Sequence, residues 1–250
     1  MGRDYRRNPT KEKCFFSTTP VYPTPVCILW AVMPSEMRSL VIGASGGIGA
    51  ALARELAQHG EVVTLSRSVD GVDVTEEDSV AAALDRLDGS FDLVFVATGA
   101  LGTPEKSLRA LSSDELAAQF AVNTIGPALV LKHAVRLLPR GRRSVFAALS
   151  ARVGSIGDNR LGGWYAYRAS KAALNQMLHG ASVEIARTHP EAIVALLHPG
   201  TVATSFTQDY PANNKVTPSE AARDLIRVLE SLSPSQSGGF FDYAGNPIPW

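Results

Sequence analysis

From Arg38 to the end of this 250-residue chain, short apolar runs alternate with longer amphipathic ones. The runs "FDLVFVATG", "SVFAALS" and "AIVALLHPG" are apolar along most of their length, where a strand with one wet face would alternate. Strands of that kind are buried on both faces, as in parallel sheets whose crossover helices cover both sides. The segments between them carry helical signals. "AALARELAQHG" gathers Leu52, Ala53 and Leu56 on one side and stops at Gly60. "TEEDSVAAALDRL" opens with Thr75 and two acids in its first turn. A long helix, or a bent pair, starts at Ser112 or Ser113, with Gly126-Pro127 as its kink. Another begins in "WYAYRASKAAL", and a last one has Pro218 near its first turn. The alternation predicts one α/β domain over residues 37–250: three layers, doubly wound, a Rossmann fold with a seven-stranded, mainly parallel sheet.

Residues 1–36 break this pattern. Arg3, Arg6, Arg7, Lys11 and Lys13 outnumber Asp4 and Glu12, and prolines follow at 9, 20, 23 and 25. They are expected to be an irregular extension, or the product of a start upstream of Met33 or Met37. The apolar run from Val26 to Met33 is about half of the ~20 residues a membrane helix needs. The formal net charge of zero gives no electrostatic ground for a nucleic-acid or membrane-surface partner. Cys14 and Cys27 form no disulfide framework, so a reducing, cytoplasmic setting is expected. The five histidines, at 59, 133, 179, 189 and 198, show no metal-ligand spacing.

The turn after the first strand reads "GASGGIG". Gly43, Gly47 and Gly49, with Ser45 and Ile48 between them, sit where a strand passes into a helix. Glycine permits positive φ there and lets the backbone approach a pyrophosphate at a helix N-terminus. The second strand ends in Ser66-Arg67, with no acid at the position that reads a free ribose 2′-hydroxyl. A guanidinium suits a 2′-phosphate, so NADP(H) is favoured over NAD(H). Asp73 is placed to accept from the adenine amino group.

"WYAYRASKAAL" holds two tyrosines ahead of Lys171. Residues four apart share a helix face, so Tyr167, not Tyr165, lies beside Lys171. An ammonium beside a phenol favours the phenolate and lowers a pKa that is ordinarily near 10. Such a phenol can exchange a proton with a carbonyl or alcohol oxygen.

Gly43–Gly49, Asn123, Tyr167 with Lys171, and Pro199-Gly200 stand in the order of the classical short-chain dehydrogenase/reductase family, which the chain resembles from about Met37 to Trp250. "ARVGSIGDNRLGGWYAYRASKAALN" and "GGFFDYAGNPIPW" resemble its C-factor-like (C-signal-like) branch. The resemblance implies that Tyr167 is the acid/base and that Lys171 binds the nicotinamide ribose and tunes Tyr167. It implies that Asn123 kinks its helix and holds a relay water, and that a serine after the preceding strand orients the substrate carbonyl. Pro199, Gly200, Val202 and Thr204 would line the nicotinamide side. The chain departs from the family in three places. Ile42 replaces a threonine. Ala97, Thr98 and Gly99 in "VATG" replace an asparagine-rich turn. The serine motif reads Ser150-Ala151-Arg152-Val153-Gly154, so the expected hydroxyl falls on Ala151. Ser150 is the preferred candidate and Ser155 the alternative, although strand alternation aims Ser150 at the opposite face.

A small-molecule carbonyl or alcohol substrate is implied, with Leu101, Trp164, Phe206 and Tyr210 as wall candidates that equally suit core packing. Arg152 and Asp158-Asn159-Arg160 suggest an internal salt bridge. Leu174, Met177, Leu178, Ala181 and Ile185 form a helical core stripe. By resemblance, that helix pairs two copies in a homodimer or homotetramer.

Overall fold

Six strands form one sheet in the computed structural model, which describes residues 37–208 and 215–250. They are β1 (Met37–Ile42), β2 (Gly60–Leu65), β3 (Leu93–Val96), β4 (Ser144–Leu149), β5 (Ala192–His198) and β6 (Gly239–Asp242). Their order is β2-β1-β3-β4-β5-β6, and every strand pairing is parallel. The helices are α1 (Gly47–Leu56), α2 (Arg67–Asp70), α3 (Glu77–Asp85), α4 (Ser113–Phe120), α5 (Gly126–Ala134), α6 (Tyr165–Ile185) and α7 (Pro218–Ser231). All the described residues lie in one compact unit; the expected extension at 1–36 lies outside them.

Pleating sorts the strand residues into two cores. Leu40, Ile42, Val94, Val96, Phe146, Ala148, Val194 and Leu196 face one way, onto α5 and α6 through Val130, Leu131, Leu174 and Leu178. Their neighbours Val41, Phe95, Val145, Ala147, Ile193, Ala195 and Leu197 face the other way, onto α1 and α7 through Leu52, Leu56, Leu225 and Leu229. Each such side chain, fully buried, contributes roughly 1.5–3 kcal/mol of hydrophobic stabilisation before chain entropy is counted.

The expected seven strands are six among the described residues. Between β2 and β3 the segment "GVDV" (71–74) joins no strand. Val72 donates back to Ser66 O at 3.2 Å, and Asp73 N–H goes to Ser79 Oγ at 3.0 Å. With backbone groups spent on local turns and Val72 and Val74 buried, the segment packs without joining the sheet.

The long central helix breaks at Asn123, as the resemblance implies, and not at Gly126-Pro127. Ser112 caps α4, accepting from Glu115 N–H at 3.4 Å. The disruption is a π-helical turn over Ala121–Ile125, ahead of Gly126-Pro127, and Pro127 lies in the first turn of α5. Helix α7 begins with a reciprocal cap: Thr217 N–H donates to Glu220 at 2.8 Å, and Glu220 N–H donates to Thr217 Oγ1 at 3.2 Å.

Candidate active site

The C-terminal ends of β1, β3, β4 and β5 deliver the predicted residues to one edge of the sheet. Gly43 follows β1 with φ of +88°. A Cβ on Gly49 would lie 2.2 Å from Gly43 O, so the turn closes only with glycine there. A Cβ on Gly47 would lie 2.5 Å from Thr204 Cγ2, which brings "PGTVAT" against the glycine turn. Ser45 and Gly47 are exposed, and no side chain caps the first N–H groups of α1. Ile48 is half-buried behind them. An anion placed here would meet free N–H donors and the positive end of the helix dipole. Thr98 Oγ1 is buried with no hydrogen-bond partner among the described residues. Ala97 is anchored to Ile42 O at 2.7 Å. An open glycine cradle, uncapped helix donors and an orphaned hydroxyl fit a dinucleotide lying across the strand ends.

At the end of β2, Arg67 is exposed and opens α2. Ser66 is buried, and Asp70 takes both its N–H (2.7 Å) and its hydroxyl (3.2 Å). The Ser66 side chain is therefore engaged locally and Arg67 is the group turned to solvent. Asp73 accepts from Thr75 N–H and Oγ1 at 2.9 and 2.7 Å, and those bonds hold its carboxyl below the usual range. Gly200 (φ +77°) turns the chain after Pro199 against the Tyr243 ring, and Val202 is buried beside it.

Tyr167 and Lys171 share the inner face of α6. Lys171 Nζ lies 6.0 Å from the Tyr167 ring centre and donates to Leu149 O at 2.8 Å. Lys171 is 2 % exposed, and burial pushes its pKa down from 10.5 to about 7. Two glycine positions locate these groups among their neighbours. A Cβ on Gly99 would sit 3.5 Å from Asn123 Oδ1 and 3.7 Å from Lys171 Nζ, so those polar groups flank one small gap. A Cβ on Gly154 would reach Lys171 Cβ at 2.8 Å, so α6 rests directly on the loop after β4.

Asn123 is fully buried in the π turn. Its Oδ1 accepts from Ala100 N–H at 2.9 Å. Its Nδ2 donates to Ala100 O at 2.8 Å, to Gln119 Oε1 at 2.6 Å and to Ser170 Oγ at 3.2 Å. The carboxamide thus clamps the loop after β3 to α4 and α6.

Both serine candidates are engaged away from the phenol. Ser150 Oγ donates to Asn175 Oδ1 at 2.6 Å. Ser155 Oγ donates to Pro249 O and accepts from Asp158 N–H at 3.0 Å. Trp164 and Phe206 both meet the Tyr167 ring. Leu101 is half-buried on the loop after β3, and Tyr210 lies outside the described residues. Arg152 pairs with Asp158 at 3.1 Å and with Asp242 at 3.0 Å. The neighbouring His198 is pushed down to about 4 by burial and then by Arg152, so it stays neutral beneath the Pro199 turn.

Sequence reasoning missed Glu105. It is 5 % exposed, and its carboxylate accepts from Ala166 N–H at 3.2 and 3.4 Å while its backbone O accepts from Trp164 N–H at 2.7 Å. It caps α6, which has no cap of its own, from 61 residues away. No local pattern announces such a partner. Gln119 was missed too, although its place one turn before Asn123 was a usable signal. No helix among the described residues is long and apolar enough to cross a membrane.

Known proteins resemble this chain in sequence and in fold. The sequence model described as enoyl-(acyl carrier protein) reductase matches residues 43–231. The 1-hydroxy-2-glutathionyl-2-methyl-3-butene dehydrogenase of Rhodococcus sp. (strain AD45) is 35% identical over 228 residues, covering 84% of this chain and 98% of that protein. The C-signal of Myxococcus xanthus is 38% identical over 138 residues, covering 54% and 79%. Among solved structures, the carbonyl reductase Sniffer of D. melanogaster superposes with a TM-score of 0.76 at 22% identity, covering 86% of this chain and 100% of its own. The NADPH-bound carbonyl reductase from chicken fatty liver gives 0.74 at 22%, covering 88% and 97%. At that identity these two show the fold alone.

Proposed function

The chain belongs to the short-chain dehydrogenase/reductase family of oxidoreductases, and we propose that it interconverts a carbonyl and an alcohol with NADP(H) in preference to NAD(H). The observation that carries this reading is the buried Lys171 beside Tyr167 on one face of α6, at the strand edge that holds the glycine turn. When bound, the nicotinamide supplies or accepts the hydride. Tyr167 gives its phenolic proton to the substrate oxygen in reduction and takes it back in oxidation. Lys171, in its charged form, favours the phenolate and reaches the ribose hydroxyls. Asn123 keeps the loop after β3 and the π turn in register, and the gap between it and Lys171 suits a relay water. Gly43, Ser45, Gly47, Ile48 and Gly49 hold the pyrophosphate. Arg67 reads the 2′-phosphate, and Asp73 the adenine. Ala97, Thr98, Gly99, Pro199, Gly200, Val202 and Thr204 line the nicotinamide half. Ser150 is the proposed orienting serine, which requires its bond to Asn175 to open. Exposed Met177 and Val183 on α6 suit pairing with a second copy. The cysteine-poor sequence suits the cytoplasm.

A second reading, a dinucleotide-binding signalling protein with little turnover, draws on the engaged hydroxyls of Ser150 and Ser155. The test is NADPH oxidation against a panel of aldehydes and ketones, wild type beside Tyr167→Phe. The catalytic reading expects turnover that drops ~100-fold or more in the variant while NADPH binding is kept. NADPH binding with no turnover of any carbonyl would favour the signalling reading instead.

A further inference from the structure

Glu105 is 5 % exposed, and burying a carboxylate is costly unless its oxygens are satisfied. No Lys, Arg or His among the described residues forms an ion pair with it. Its carboxylate accepts instead from the Ala166 N–H, at 3.2 and 3.4 Å. Its backbone oxygen accepts from the Trp164 N–H at 2.7 Å. The two donors flank Tyr165, the first residue of α6, and Tyr167 is the third. A buried acid is thus committed to the one helical turn that carries the phenol.

That turn needs support from outside the helix. Leu174 and Leu178 are fully buried and fix the body of α6 against the sheet, but they lie about two and three turns beyond Tyr167. The first N–H groups of a helix have no partner inside it. Trp164, the residue before α6, makes no side-chain cap. It stands at φ +55°, after Gly162 and Gly163 at +63° and +65°. For a bulky residue that conformation is strained and persists only where contacts impose it. The bond from Trp164 N–H to Glu105 is one such contact. Arg168 supplies another, donating to Gly163 O at 3.0 Å and to Val153 O at 3.3 Å.

Glu105 itself stands on a fixed strut. The Asn123 carboxamide holds Ala100 by its N–H and its oxygen, at 2.9 and 2.8 Å. Gly102 follows with φ of +58°, and a Cβ there would overlap Glu115 Oε1. Thr103 N–H donates to the same oxygen at 3.3 Å. Residues 100–105 therefore join the Asn123 clamp to the start of α6 and are pinned along the way.

We propose that Glu105 is a positioning residue for the acid/base. It ties the first turn of α6 to the loop that Asn123 clamps, and so sets the Tyr167 hydroxyl relative to Lys171 and to the turn at Ala97–Gly99. The inference rests on the catalytic reading above for the role of Tyr167. Misplacing a reacting group by about 1 Å can cost ~100-fold in rate, so a cap that touches neither substrate nor cofactor can act on turnover. Such a loss falls on the chemical step and leaves carbonyl binding in the ground state nearly as it was.

The test compares wild type, Glu105→Ala and Glu105→Gln, with NADPH and the fastest carbonyl of the aldehyde and ketone panel. Turnover is counted per NADPH bound, which removes any unfolded fraction. Glu105→Ala should lower kcat ~10–100-fold with the carbonyl KM held within ~3-fold. Glu105→Gln keeps an oxygen for the Ala166 N–H and should stay within ~3-fold of wild type in kcat. If Glu105→Ala does not fold, Glu105→Asp takes its place with the same split, its carboxylate stopping a methylene short of Ala166. Amide exchange followed by NMR without carbonyl should quicken ~10-fold at Ala166 in Glu105→Ala and stay near wild type in Glu105→Gln. An unchanged kcat per bound NADPH in Glu105→Ala would overturn the assignment. So would a carbonyl KM that rises while kcat holds, a Glu105→Gln protein as slow as Glu105→Ala, or Ala166 exchange that Glu105→Ala leaves unmoved. A wild type that binds NADPH and turns over no carbonyl sinks the catalytic reading, and the exchange comparison then decides the Glu105 cap by itself.

Discussion

Replacing Lys171 with methionine should stabilise the cofactor-free protein, against the usual sign for a core substitution. Burial lowers the Lys171 pKa from 10.5 to about 7. The unfolded chain therefore binds more protons than the native one between those two values, and stability rises with pH across that window. Integrated at pH 7, the lowering costs the native state ~4 kcal/mol, and by pH 9 the cost falls to ~2 kcal/mol. Methionine has a similar unbranched length and carries none of this cost, but it leaves Leu149 O without its 2.8 Å donor. A half-buried carbonyl so orphaned costs about 1–3 kcal/mol. The net gain at pH 7 is then ~1–3 kcal/mol, or roughly 2–10 °C in Tm for a domain of this size. Urea unfolding of both proteins at pH 7 and pH 9, without cofactor, reads it directly. The gap should shrink by ~2 kcal/mol between the two pH values, and turnover should be lost along with the amine. A Lys171→Met protein less stable than wild type at pH 7, or a gap that ignores pH, would refute the reasoning.

Two further outcomes follow from close contacts and charge. Gly154→Ala puts a methyl 2.8 Å from Lys171 Cβ and 2.9 Å from its carbonyl carbon. It should cost about 1–3 kcal/mol in thermal melting and depress turnover, because α6 must move off its loop. Arg67→Ala should weaken NADPH binding ~10-fold and leave NADH nearly unchanged in fluorescence titration. Similar wild-type affinities for the two cofactors, unmoved by the substitution, would count against the NADP preference.

The parts of the molecule with short-range signatures were legible in the sequence. Apolar strands imply two covered faces, and the pleat then assigns Leu40 to one core and Val41 to the other. The four-residue interval places Tyr167 and Lys171 together because helix periodicity is local. The parts that depend on remote partners were not legible. Residues 71–74 stay out of the sheet because Val72 and Asp73 send their N–H groups to Ser66 O and Ser79 Oγ. Glu105 caps a helix across 61 residues. Gly126-Pro127 looks like the stronger kink, yet the ladder breaks at Ala121–Ile125, where the Asn123 side chain bonds to Ala100 on the loop after β3. The serine question turned on Asn175 and Pro249, neither of which has a signal near residue 150.

The π turn acts as a phase shifter. Its wider winding absorbs an extra residue, so the stripe that buries Gln119 on α4 and the stripe that buries Val130, Leu131 and Ala134 on α5 need not belong to one continuous spiral. Asn123 occupies the seam between the two phases. Removing a single residue from 121–125 would let the ladder close into unbroken α-helix and swing everything on one side of the seam by about 100°. Its carboxamide would leave the gap beside Lys171 even with every residue named in the site unchanged. Spacing within this turn is as much a part of the site's chemistry as the side chains it carries.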